Sequence, residues 1–189
     1  EMISTGLWET LSFFFRCRTS FFMDSPRGYD LLAPFYDALA FIAFGKSLYR
    51  AQVQFLGDIP PGSKVLVLGG GTGRWLKEAS IRSSNPQITY VDSSHAMLKR
   101  ARTNGQGLGA RFVQDTHEFL KGNEEYDVLI AFCFFDLFDD RMLRDVVDRI
   151  RKSMKPGADW LIVDFVNRKW WHASVLSAMY AFFRITTGL

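Results

Sequence analysis

Gly69, Gly70, Gly71 and Gly73 stand directly after the run Val65-Leu66-Val67-Leu68, and an acid, Asp92, closes the next β-rich run from Ile88. Glycines in that place let a backbone turn sharply and approach a ligand without interference from a Cβ. A carboxylate about 20 residues further on lies at the separation that meets ribose hydroxyls in a doubly wound sheet. Glycines alone read as a tight strand-to-helix turn. Asp92 shifts the reading to a ligand that contains adenosine.

Few side chains offer proton chemistry. Tyr29, Tyr36, His117, Asp136 and His172 are the polar candidates, and their spacing ranks none above the others. Tyr29-Asp30 and Tyr36-Asp37 repeat a Tyr-Asp pair seven residues apart, one face of a helix if Pro34 only bends it. A surface helix with two half-buried tyrosines explains the same pattern. His117 reads as a group facing the cleft or, as is commoner for a lone histidine near a helix start, as a solvated surface group. Cys17 and Cys133 are too far apart to suggest a disulfide framework or a metal site, and no metal is expected.

The glycine register separates the adenosine ligands. A dinucleotide loop wants G-x-G-x-x-G, whereas here Gly69-x-Gly71 is followed by Arg74 and Gly71-x-Gly73 by Leu76. Neither register fits, which disfavours a nicotinamide-dependent oxidoreductase and leaves it as a third reading.

The sequence Gly69-Gly-Gly-Thr-Gly73 resembles motif I of the class I S-adenosylmethionine-dependent methyltransferases. The likeness continues through Asp92, Arg111-Phe-Val-Gln-Asp115, Tyr126 to Phe132, and Met154-Lys-Pro-Gly157 ahead of Trp160 to Asp164, in family order over roughly residues 29 to 166. It implies an α/β, doubly wound, mostly parallel Rossmann-like sheet of strand order 3-2-1-4-5. It implies S-adenosylmethionine as cofactor and S-adenosylhomocysteine as product. Cofactor contacts then fall on Gly69, Gly70, Gly71 and Gly73, on Asp92 at the ribose with Ser93 after it, and on Asp115 with Thr116 near the adenine. Met97 is either an adenine contact or a core methionine. The opening Tyr29 to Asp37 resembles the ubiquinone/menaquinone-type C-methyltransferases, in which this segment forms a lid. Val67 departs from the pattern, for family members usually carry an acid two positions before the first glycine.

Methyl transfer from a sulfonium needs donor and acceptor aligned about 3 Å apart with water excluded, so the lack of a nucleophilic triad is in keeping with it. The acceptor is expected to be a small, partly apolar molecule. Phe134-Phe135-Asp136 lacks the prolines with which amino-directed nucleic-acid methyltransferases clamp a flipped base; the aromatic pair reads as the wall of an apolar pocket, or as core, with Asp136 a polar contact. A net charge of +3, with Lys and Arg interleaved with acids, likewise gives no basic tract for nucleic acid. A non-catalytic protein that binds S-adenosyl compounds, or a scaffold, is the alternative in a different class.

Several elements must position these groups. Residues 29 to 57 read as helix, ended by Gly57-Asp-Ile-Pro-Pro-Gly62; Trp75 to Ile81 is the helix after the loop; Ser93 or Ser94 caps the next. Asp115-Thr-His-Glu118 leads a short helix. Asp139 or Asp140 caps a helix with Met142, Leu143, Val146, Val147, Ile150 and Met154 on one face, ending at Pro156-Gly157.

At 189 residues, 48% hydrophobic and 23% charged, the chain has the size and make-up of one globular domain. Residues 1–22 form an aromatic-rich extension before the domain of residues 23–189. Leu7 to Phe22 has near-helical spacing, and its readings are a helix packed on the domain, an added segment, or a peripheral membrane contact. The cytoplasm is the expected location, with membrane association following only from the last of these readings. After the fifth strand, Trp170 to Phe183 is apolar, and the two strands of the family's C-terminal β-hairpin have no counterpart. That implies a domain short of the family at its C-terminus, with the strand-five edge either paired in a homo-oligomer, the favoured reading, or buried under the terminal helices.

Overall fold

A computed structural model describes residues 29–30, 33–82, 85–123 and 125–164. Strands β1 (Lys64–Leu68), β2 (Gln87–Asp92), β3 (Arg111–Gln114), β4 (Tyr126–Phe132) and β5 (Met154–Val163) form one sheet of order β3-β2-β1-β4-β5, with parallel pairing throughout. This is the expected order. Among the described residues β5 is an edge strand, and Ile162 on it is 40% exposed.

Parallel strands are covered on both faces, so their sequence is continuously apolar and alternate residues serve different cores. Val65 and Val67 enter one core with Val53, Leu56, Trp75, Leu76, Leu98 and Ala101. Leu66 and Leu68 enter the other with Val146, Ile150, Phe134 and Phe135. Each fully buried side chain of this kind stabilises the fold by about 1.5–3 kcal/mol. The first core is roofed by α2 (Ser47–Gln54), α3 (Leu76–Arg82) and α4 (His95–Asn104), the second by α5 (Asp140–Ser153).

Caps fix where two of these helices begin. Ser94 Oγ accepts from the Met97 amide at 3.1 Å, and Asp139 Oδ1 accepts from the amides of Arg141 and Met142 at 3.0 and 2.7 Å. Of the two candidates at each helix, Ser94 and Asp139 are the caps.

Three boundaries differ from expectation. The helix expected over 29 to 57 is broken: α1 (Tyr36–Phe44) stops at Gly45, whose φ of 58° is cheap only for glycine, and α2 follows, then a 3-10 turn at Leu56–Asp58. The segment after Asp115 is a single 3-10 turn, His117–Phe119. α5 ends at Ser153, and β5 begins at Met154 and runs through Pro156-Gly157, so the expected turn is strand. Pairing with β4 absorbs those residues through a register shift between Tyr126 and Val128.

Residues 1–22, Trp170 to Phe183 and His172 lie outside the described residues, as do the membrane and terminal-strand readings placed on them. Among the described residues no helix is long and apolar enough to cross a membrane.

Candidate functional site

The site lies at the C-terminal ends of β1, β2 and β4, where a doubly wound sheet opens a crevice. From β1 the chain passes into Gly69 to Gly73. Gly71 has φ of 63° and the most open Cα of the loop: an added Cβ would meet only the Tyr36 ring, at 3.7 Å. Gly70 is the reverse case, for an added Cβ there would collide with the buried Tyr90 ring. The two adjacent glycines thus answer different needs, one to the crevice and one to the core.

Asp92 ends β2 beside this loop. Its Oδ1 accepts from the Ser94 amide at 2.9 Å, and the Gly71 backbone also bonds the carboxylate. Burial nonetheless dominates and, with the nearby Asp30 charge, raises its pKa from 3.8 to about 6, against the downward pull of the two amides. Asp115 follows β3; its amide donates to Asp92 O at 3.2 Å and its carboxylate accepts from the Thr116 amide at 2.7 Å. Ser93 is half-buried, with its carbonyl facing Gln114 Nε2 at 3.4 Å. Met97 is 2% exposed on the inner side of α4.

The two Tyr-Asp pairs dock the N-terminal helical segment onto both loops. Asp30 Oδ1 accepts from Ser94 Oγ at 2.6 Å and from the Ala96 amide at 2.9 Å, at the start of α4. Asp37 Oδ1 accepts from Thr72 Oγ1 at 2.7 Å, inside the glycine loop. Each carboxylate clasps the segment to a different loop, and the tyrosines beside them turn inward. The Tyr29 and Tyr36 phenols are pushed well above their ordinary pKa, first by burial and then by the charges of Asp92 and Asp136 and by Cys133. They are neutral hydrogen-bond donors at any working pH.

Cys133 and Asp136 complete the cluster from the end of β4. Cys133 adopts φ of 48°, a left-handed conformation uncommon for a residue with a Cβ, while its amide donates to Val163 O at 2.8 Å. Burial, then Asp136 and Asp164, raise its thiol pKa, so it stays a thiol. Phe134 and Phe135 are buried, stacked edge-to-face at 5.5 Å, and Phe134 underlies Gly69. They are wall and core at once.

Tyr29, Tyr36, Asp92 and Asp136 are therefore brought together. His117 is not among them: its ring packs against Phe138 at 5.4 Å, and burial and Arg149 lower its pKa, which places it on the α5 side. Among the described residues no group of His, Cys, Asp or Glu is arranged to hold a metal ion. Sequence reasoning missed Asp30 and Asp37 as clasps, Cys133 as a member of the cluster, and Tyr90 beneath the loop. The seven-residue repeat of Tyr-Asp was the available signal for the first two; nothing local marked the others.

Residues 65–157 match the methyltransferase domain family. Over those residues the strand order and the loop at β1 are those of a class I S-adenosylmethionine-dependent methyltransferase domain. Among curated proteins it is similar to the ubiquinone/menaquinone biosynthesis C-methyltransferase UbiE of Vibrio campbellii, 33% identical over 113 residues, 56% of this chain and 42% of that protein. It is also similar to the carboxy-S-adenosyl-L-methionine synthase of Nautilia profundicola, 28% identical over 88 residues, 46% of this chain and 36% of that protein. The chain thus spans less than half the length of these relatives. Among solved structures, DhpI in complex with SAM and HEP superposes with a TM-score of 0.63 at 23% identity, over 77% of this chain and 66% of that one. The likeness to DhpI is one of fold.

Proposed function

We propose that the domain binds S-adenosylmethionine between the glycine loop and the N-terminal helical segment, and directs methyl transfer to a small, partly apolar molecule. The observation that carries this reading is the convergence of open-faced Gly71, the Asp92 carboxylate and the phenols of Tyr29 and Tyr36 at one end of the sheet. The residues fit the group. Gly71 lets a ligand approach its backbone, and Asp92 offers a charged acceptor for two hydroxyls. Burial raises its pKa to about 6, and hydrogen bonds from a ligand's hydroxyls would favour the ionised form. The surrounding carboxylates favour a cationic ligand.

When bound, the cofactor supplies an electrophilic methyl group on a sulfonium. The chain's own work is placement and the exclusion of water. Tyr29 and Tyr36 donate hydrogen bonds into the crevice, Phe134 walls it, and Asp136 is the carboxylate positioned to take an acceptor's proton where the acceptor has one to lose. The curated relatives named as methyltransferases support this reading, and the relative named as a synthase marks that the chemistry on this scaffold varies.

Calorimetric titration with S-adenosylmethionine, S-adenosylhomocysteine and a nicotinamide dinucleotide tests it. Saturable binding of the first two and none of the third is expected. Binding of the dinucleotide alone would overturn the reading.

A further inference from the structure

Tyr90 sits in β2, paired in register with Val67 of β1, and both side chains enter the core roofed by α2, α3 and α4. The tyrosine is fully buried. A phenylalanine would fill such a place without a polar atom to satisfy, since a buried hydroxyl costs free energy unless it is bonded. This hydroxyl is bonded, and its partner is the glycine loop: it donates to the Gly71 carbonyl at 2.9 Å.

The neighbouring carbonyls are treated alike. Trp75 Nε1 donates to Gly70 O at 3.3 Å, and Asn104 Nδ2, from α4, donates to Thr72 O at 2.9 Å. Three consecutive carbonyls of the loop are thereby turned toward side-chain donors of the domain. The indole of Trp75 stacks on Tyr90 at 6.3 Å and 18°, and Phe112 packs against the phenol at 5.4 Å and 44°, so the ring is held by two aromatic neighbours. Gly70 closes the arrangement, because the Tyr90 ring occupies the space its side chain would need. In a planar trans peptide the N–H lies opposite the C=O, so holding the Gly71 carbonyl against Tyr90 aims the Thr72 N–H away from it.

We propose that Tyr90 is a positioning residue of the cofactor site: its hydroxyl, raised from the sheet beside apolar Val67, sets the Gly71–Thr72 peptide and so preorganises the loop for its ligand. The proposal rests on the reading that this loop binds S-adenosylmethionine. Burial and the charge of Asp92 hold the phenol protonated, so it acts as a donor across the working pH range.

The test compares Tyr90→Phe, which keeps the ring, with Ile88→Val, a change in the same core two residues away. Amide hydrogen exchange is read in the ligand-free protein, and S-adenosylhomocysteine affinity by calorimetry. Tyr90→Phe is expected to speed exchange at Gly71 to Gly73, with β1 and β4 unchanged, and to weaken binding roughly three- to tenfold, the scale of one lost hydrogen bond. Ile88→Val is expected to lower the melting temperature and leave both readouts alone. Trp75→Phe, which removes the side-chain donor to Gly70 and leaves that carbonyl only the Gly73 amide, serves as the second variant and should loosen the same residues. Loop exchange unchanged in Tyr90→Phe overturns the proposal, as does faster exchange with unaltered affinity. A parent chain that binds no S-adenosylhomocysteine overturns the cofactor reading separately, since the exchange arm reports on the hydroxyl without ligand.

Discussion

The crevice has two sides built on opposite principles. On one side the glycine loop is fixed from within the domain by Trp75, Tyr90 and Asn104, which hold the carbonyls of Gly70, Gly71 and Thr72. On the other side the segment from Tyr29 through α1 is attached by two carboxylate clasps, Asp30 to Ser94 and Ala96, and Asp37 to Thr72. The loop side is buried, whereas α1 leaves Phe41 56% and Ile42 80% exposed. Disturbing the loop side should therefore cost the fold, and releasing the clasped side should cost mainly the ligand.

Gly70→Ala is the largest test of that contrast. Its Cβ must displace the Tyr90 ring, and overpacking of this kind costs about 1–3 kcal/mol. For a chain of this size that lowers the melting temperature by roughly 2–12 °C, measurable by scanning calorimetry. Gly71→Val, one residue on, faces the crevice and should spare the sheet while weakening S-adenosylhomocysteine binding tenfold or more, roughly the order of the strain at positive φ.

Asp37→Ala should give the complementary result. It removes the bond to Thr72 Oγ1 without touching either core, so affinity is expected to fall roughly three- to tenfold, the scale of one hydrogen bond. The melting temperature should stay close to the parent's. A large loss of stability with unchanged affinity would mean that the segment is part of the fold and no cover.

The smallest effect is one of pH. In the proposed complex the ionised Asp92 is the stronger acceptor for ribose hydroxyls, so affinity should fall as pH drops through about 6. The stability term has the opposite sign: the folded carboxyl keeps its proton more tightly than the ordinary 3.8, so this group favours folding below 3.8 and that contribution is lost as pH rises to about 6. Asp30→Asn keeps an oxygen acceptor for Ser94 and Ala96 but removes a charge beside Asp92, and should move the affinity midpoint to lower pH. A midpoint that stays in place would exclude the Asp30 charge as a cause.

The same contrast explains what could be read in advance. Val65 to Leu68, the loop, Asp92 and the amphipathic α5 carry local signals: β-branched runs, glycine, a terminal acid, a 3.6-residue period. The five-strand order followed from them through the resemblance. Gly45 is a local stop signal that does end α1, masked in the sequence by the apolar run around it, whereas Pro156-Gly157 is a turn signal overridden by pairing with β4. The clasps are different in kind. Asp30 reaches Ser94 across 64 positions and Asp37 reaches Thr72 across 35; the Tyr-Asp repeat marks the two acids, but no periodicity within a segment names their partners. Tyr90 was hidden by being an ordinary strand residue, for only the approach of the loop shows why its hydroxyl is there.

The decisive measurement is titration of the chain with S-adenosylhomocysteine at neutral pH, beside Asp92→Ala. One saturable site is expected in the parent and a loss of roughly ten- to a hundredfold in the variant, the scale of hydrogen bonds to a charged acceptor. Saturable binding of equal strength in both, or none in the parent, would contradict it.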